Sequence, residues 1–130
     1  MNDRIFDQLL PTIPGMNGAT LSQIANWYDS KLATVRGCYR RNRKIIDEKG
    51  TKKQTLDDFQ KLAGRVIRDG HVLRVRIADD KDIRISNRGV TVFSFAAILQ
   101  IGLLLRDNPK AKALQDIRNK VFFQHINDVY

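Results

Sequence analysis

Residues 20–53 read TLSQIANWYDSKLATVRGCYRRNRKIIDEKGTKK, and the rest of the chain is interpreted from this stretch. Thr20 followed by Gln23 has capping-box spacing, in which two side chains satisfy two orphan backbone donors at a helix start. Ile24 and Ala25 begin the buried face of a first helix and Tyr28 closes it. Asp29 and Ser30 supply a tight turn, and Leu32 and Val35 anchor a second helix. The spacing is that of a helix-turn-helix. At about 100° per residue, Leu32, Val35, Tyr39, Asn42 and Ile46 share one stripe, which predicts a single second helix over 32–46 with that stripe on the core. The opposite face carries Ala33, Thr34, Gly37, Arg40, Arg41 and Lys44.

Charge gathers on the same stretch. Residues 31–53 hold nine basic side chains (Lys31, Arg36, Arg40, Arg41, Arg43, Lys44, Lys49, Lys52, Lys53) and two acidic ones (Asp47, Glu48), a net +7 out of +9 for the chain. A mid-helix glycine costs roughly 1 kcal/mol against alanine, so Gly37 implies an offsetting gain, such as close approach of the backbone to a partner. A helix with small residues at its tip and cations on its flank suits a DNA major groove. Phosphates attract the flank there and the tip nears base edges. A basic run by itself reads as a solvated surface with Gly37 at a helix end; the helix-turn-helix spacing beside it favours double-stranded DNA. The expected contacts from this stretch are Lys31, Ala33, Thr34, Arg36, Gly37, Arg40, Arg41, Arg43, Lys44, Lys52 and Lys53.

Outside that stretch the chain of 130 residues reads as an N-terminal arm (1–19) followed by one domain (20–130). The arm is a brief apolar helix and then a loop with Pro11, Pro14, Gly15 and Gly18. Residues 49–53 read as a basic loop. Leu56, Phe59, Leu62, Ala63 and Val66 recur at helical spacing, predicting a helix over 55–69 capped by Thr55, with Asp57 and Asp58 in its first turn. The period then changes. Val72, Leu73, Val75 and Ile77 interleave with Arg74 and Arg76, Ile83-Arg84-Ile85 returns, and residues 90–93 add a third short strand, giving a β unit over 72–93. As a wing this unit sets Arg74, Arg76 and Arg84 against phosphates; alternatively they form the solvent face of a half-buried sheet. Ser94 is the expected N-cap of a helix over 95–105, which Asn108-Pro109 breaks, and a last helix follows to about residue 125.

The net charge of +9 and a pI of about 10.1 make a polyanion the first partner to consider. Cys38 is the single cysteine. It fits a packing role in a reducing cytosol. The longest apolar run, near residues 95–105, falls short of the ~20 residues that a membrane span needs, and no secretory signal pattern opens the chain. His71 and His125 have no metal-ligand spacing. Asp79, Asp80 and Asp82 read as a turn between strands and not as a cation loop. No glycine-rich phosphate loop and no nucleophile–base pair is present. The reading is a non-enzymatic, cofactor-free protein of the cytoplasm, with no small-molecule ligand.

Two stretches resemble the Bro-N and KilA-N domains, the N-terminal modules of phage antirepressors and related regulators. Ile24-Ala25-Asn26-Trp27-Tyr28 through Arg40-Arg41-Asn42-Arg43 is similar to the family's helix-turn-helix-like segment. Residues 102–126, GLLLRDNPKAKALQDIRNKVFFQHI, resemble its closing segment of an apolar helix, a proline break and an aromatic-rich helix. Asp29 and Ser30 depart from the usual turn glycine and small hydrophobic residue. The resemblance implies sequence-directed binding of DNA, with Thr34, Arg40 and Arg41 as contacts. Antirepressors of this kind usually carry a second domain, so the expectation for these 130 residues is a stand-alone regulator.

Together these readings predict an α+β, winged-helix-like fold: a helix-turn-helix, a small antiparallel β wing and two C-terminal helices. The expected function is transcriptional regulation in a phage or mobile element. The alternatives are a protein-binding antirepressor or inhibitor module and a DNA partition or replication accessory protein. A homodimer is expected as well, because a helix apolar on all sides must be covered on all sides. Phe122, Phe123, Ile126, Val129 and Tyr130 add further apolar surface.

Overall fold

A computed structural model describes residues 12–13, 15–62, 66–69, 72–78, 81–86 and 88–129. The fold is α+β. Among the described residues the order is β1 (Gly18–Ala19), α1 (Leu21–Trp27), α2 (Leu32–Arg41), α3 (Arg43–Gly50), β2 (Thr51–Gln54), α4 (Leu56–Leu62), β3 (Val66–Asp69), β4 (Val72–Ala78), β5 (Lys81–Ser86), β6 (Val90–Ser94), α5 (Phe95–Leu104) and α6 (Pro109–Val129). The strands form two antiparallel sheets, β1-β6-β2 and β3-β4-β5.

β6 is the middle strand of the first sheet, pairing Phe93 with Ala19 on one side and with Thr51 on the other. Successive side chains of a strand point to opposite faces. Phe93 accordingly enters a core with Ile24, Tyr28, Val35, Cys38, Ile46, Ile98 and Ile101, where the helices pack. Val92 enters a second core with Ile13, Met16, Phe59, Leu73, Val75 and Ile85, from the chain start, α4 and the β4–β5 hairpin. The first sheet thus has helices α1, α2, α3, α5 and α6 on one face and the second sheet on the other.

Local signals in the sequence account for many element ends. Thr20 Oγ1 accepts from Gln23 N and Gln23 Oε1 accepts from Thr20 N (3.0 Å), completing the capping box of α1. Ser94 Oγ accepts from Ala97 N (3.1 Å) and donates to Lys49 O (2.8 Å), so it caps α5 and ties it to the end of α3. Asn108 Oδ1 accepts from Ala111 N (3.0 Å) at the start of α6, with Pro109 as its first residue, where a missing N–H costs nothing. The α1–α2 turn places Asp29 at φ 53°, the left-handed region that aspartate tolerates better than most residues.

Several expected elements differ. The helix over 32–46 is broken at Asn42, which has φ −124°. Its Nδ2 donates to Cys38 O (2.9 Å), a local side-chain bond that competes with helix continuation. Ile46 remains buried because α3 turns it back to the core. Residues 49–53 are not a loop: Lys49 and Gly50 end α3, and Thr51–Gln54 is edge strand β2. The helix over 55–69 stops at Leu62, and Val66–Asp69 pairs with β4 instead. β6, expected beside the hairpin, belongs to the other sheet. The expected N-terminal helix lies outside the described residues.

α5 is the central helix. Ala97, Ile98, Ile101 and Gly102 are buried, and Leu99, Leu103 and Leu104 pack at the margin of the helical core. Of its large side chains Phe95 is exposed, at 42%. One copy therefore buries one face of α5 and half-covers its margin, leaving Phe95 and Ala96 exposed. Of the residues invoked for a dimer, Phe122, Phe123, Ile126 and Val129 belong to α6, and Tyr130 lies outside the described residues. No helix among the described residues is long and apolar enough to cross a membrane.

The tightest seam in this core is Tyr28 against Gly102. The buried Tyr28 hydroxyl donates to Ile98 O (2.9 Å), and burial pushes its pKa up. A Cβ on Gly102 would fall on that hydroxyl and lie 2.7 Å from Leu114 Cδ1. Gly102→Ala is therefore expected to lower folding stability by about 2–4 kcal/mol, from overpacking and loss of a buried hydrogen bond. Denaturant unfolding checks this. Unchanged or increased stability would contradict the packing described.

Candidate nucleic-acid interface

α2 is built to present one face. Val35 and Cys38 are buried, and Leu32 and Tyr39 sit at the margin of the helical core. Burial pushes the Cys38 thiol pKa up, which suits a packed thiol and not a reactive thiolate. On the outward side Ala33, Thr34, Arg36, Arg40 and Arg41 are exposed and Gly37 is half-buried, with Lys31 exposed at the N-cap. The outward face expected from the sequence is thus the outward face of α2. A Cβ built on Gly37 would meet only the end of the Arg41 side chain, Nη1 at 3.1 Å and Cζ at 3.9 Å. The guanidinium of Arg41 lies back over Gly37, and the space beyond is open.

The break at Asn42 redistributes the remaining cations. Arg43 and Lys44 open α3 instead of extending the face of α2. Arg43 is held by two groups: Nε lies 3.5 Å from Asp47 Oδ2, and Cζ lies 5.8 Å from the Tyr39 ring centroid. Asp47 Oδ1 also accepts from Thr51 Oγ1 (2.7 Å) and Tyr39 Oη (2.8 Å), which hold its carboxyl below the usual carboxylate range. This cluster joins α2, α3 and β2 at one point. Tyr39 in turn stacks edge-on against Phe93, with centroids 4.9 Å apart. Among the described residues no carboxylate pairs with Arg36, Arg40, Arg41 or Lys44.

β2 divides its two lysines. Thr51 turns to the helical side, where Asp47 meets it, so strand alternation puts Lys53 on that side and Lys52 on the other. Lys52 adds to the field that lowers the pKa of Asp58 on α4, consistent with this placement. The two therefore lie on opposite faces of the strand.

The hairpin arginines are brought together, but elsewhere. Arg74 lies opposite Arg84 and Arg76 opposite Asp82 in the β4–β5 register. Their neighbours Leu73, Val75 and Ile85 fill the second core, so the arginines occupy the face turned away from the central sheet. Arg76 Nε pairs with Asp82 Oδ1. The expected contacts thus separate into a helical-side group (Lys31, Ala33, Thr34, Arg36, Gly37, Arg40, Arg41, Arg43, Lys44, Lys53) and a group across the sheet (Lys52, Arg74, Arg76, Arg84). Arg106, which sequence reasoning passed over, joins the helical side at a pocket shared with Arg41. Its proximity arises from tertiary packing, and no local pattern signals it. No cluster of metal-ligating side chains is present among the described residues.

Compared with models of known protein families, with curated proteins and with solved structures, the chain matches none of them.

The open surroundings of Gly37 set an expectation for stability. Gly37→Ala should fold as the parent and gain up to ~1 kcal/mol from helix propensity, since a flexible side-chain end is the only neighbour to shift. Thermal or denaturant unfolding reads this directly. A loss of more than ~1 kcal/mol would place Gly37 against a packed surface instead.

Proposed function

We propose that the protein binds double-stranded DNA in a sequence-directed way, as a regulator of transcription in a phage or mobile element, with α2 as the helix that enters the major groove. The observation carrying this reading is the outward face of α2: small Ala33, Thr34 and Gly37 flanked by exposed Arg36, Arg40 and Arg41, with no carboxylate paired to those arginines among the described residues. A groove-reading helix needs close backbone approach at its tip and cations on its flanks for phosphates. The tight turn between α1 and α2 and their shared core through Ile24, Tyr28 and Val35 give the pair the rigidity that such docking requires. The resemblance of residues 24–43 to the helix-turn-helix-like segment of Bro-N and KilA-N domains favours the same reading.

A winged helix uses a hairpin as a second contact beside its groove-reading helix. Here the hairpin packs on the other face of the central sheet. The reading therefore assigns the duplex to α2, α3 and Lys53, and leaves Arg74, Arg76 and Arg84 outside the interface.

Binding of this kind is largely electrostatic, and log affinity falls against log salt with a slope of about −0.9 per neutralised phosphate. Titrating genomic duplex fragments at several salt concentrations should give a slope of roughly −4 to −6. Arg40→Ala with Arg41→Ala should reduce the slope by about two contacts. Gly37→Leu should fold and retain non-specific binding while losing preference for the cognate fragment. Salt-independent affinity, or a double variant that binds as the parent does, would overturn the reading.

A further inference from the structure

The corner between α5 and α6 brings a cation from a distant part of the chain to the end of α2. α5 ends at Leu104, Leu105 is extended, and Asp107 takes φ 53°, so the chain reverses within residues 105–108. Side chains fix this corner. Asn108 Nδ2 donates to Tyr28 O (2.7 Å), at the turn between α1 and α2. Gln115 Nε2 donates to the carbonyls of Gly102, Leu103 and Leu105 (3.2, 3.4 and 3.1 Å), satisfying the end of α5. Lys110 Nζ donates to Trp27 O and lies 4.8 Å from the centroid of the Trp27 ring. The corner is thereby tied to the helix-turn-helix, and exposed Arg106 is carried on it.

Between this corner and α2 lies a pocket of about 360 Å³, lined by Arg41, Asn42, Leu104 and Arg106. Its lining includes two arginines and no acidic residue. Among the described residues neither arginine is ion-paired. Two cations on one pocket repel each other unless an anion lies between them, and the planar fork of arginine matches phosphate oxygens. Two of the carbonyls at the C-terminal end of α2 are already engaged. Asn42 N–H bonds Cys38 O and Tyr39 O, and Asn42 Nδ2 takes Cys38 O as well.

We propose that this pocket holds one backbone phosphate of the bound duplex between Arg41 and Arg106. The proposal rests on the duplex-binding reading and adds to it a contact from outside the helix-turn-helix. A phosphate held there fixes the orientation of α2 in the groove, because backbone contacts position while base contacts specify. Loss of Arg106 should therefore weaken binding to cognate and unrelated duplexes alike.

The test compares the full-length parent with Arg106→Ala, Arg106→Lys and Arg118→Ala, each checked for an unchanged unfolding midpoint. Arg118 is exposed on α6 and lines a neighbouring groove but not this pocket. Duplex affinity is measured across salt concentrations. Arg106→Ala should bind about tenfold more weakly near 0.1 M salt, with the log–log slope reduced by about 0.9. Arg106→Lys should fall between it and the parent, and Arg118→Ala should match the parent. If Arg40→Ala and Arg41→Ala weaken binding but Arg106→Ala does not, the phosphate site is wrong and the duplex reading survives. An equal loss in Arg118→Ala would overturn the site as well, since general charge would explain both. A parent with no salt-dependent duplex binding would overturn the reading and the site together.

Discussion

Everything in this fold depends on β6 being covered on both faces. Phe93 and Val92 are adjacent in sequence and must point to opposite sides of the strand, so each needs its own core. Burying a side chain such as Phe93 contributes roughly 1.5–3 kcal/mol, and its neighbours Ala19 and Tyr39, from β1 and α2, are far from it in the chain. β1 and β2 pair along the two edges of β6, which brings the start of the described chain and the end of α3 together. The helices then have one face of the sheet to pack on and the hairpin has the other.

That division organises the charge. The helical side gathers the cations of α2 and α3, Lys53 and Arg106, whereas Arg74, Arg76 and Arg84 lie beyond the second sheet. The two groups lie on opposite sides of the central sheet. The anchoring of α2 follows from the same architecture. Its inner face packs on the core through Val35 and Cys38, and the Asp47 cluster ties Tyr39, Arg43 and Thr51 at its far end. The turn before it is pinned through Tyr28 O to Asn108. These contacts fix the backbone of α2 at both ends, while the side chains of Arg36 and Arg40 stay exposed.

Features set by neighbours within a few residues were legible in the sequence. The Thr20–Gln23 box, the Ser94 cap, the Asn108-Pro109 break and the outward face of α2 each follow from local spacing or residue type. Features set by distant partners were not. β2 reads Thr51-Lys52-Lys53-Gln54, an edge strand with no apolar alternation, and only pairing with β6 makes it a strand. The helical spacing from Leu56 to Val66 was misleading because Val66 and Ile67 find better partners in β4. Asn42 lay on the apolar stripe by angle, but its amide bonds the helix behind it and ends α2. The separation of the basic residues into two groups, and the approach of Arg106 to Arg41, depend on which face of the sheet each element covers, and local spacing does not encode that.

Backbone amide exchange of the full chain, measured with and without a cognate duplex, tests most directly whether the helical side carries the function. The account predicts slower exchange along α2, at the start of α3 and in residues 105–108, with β4 and β5 exchanging at the same rates in both conditions. Protection confined to β4 and β5, with α2 unchanged, would contradict it.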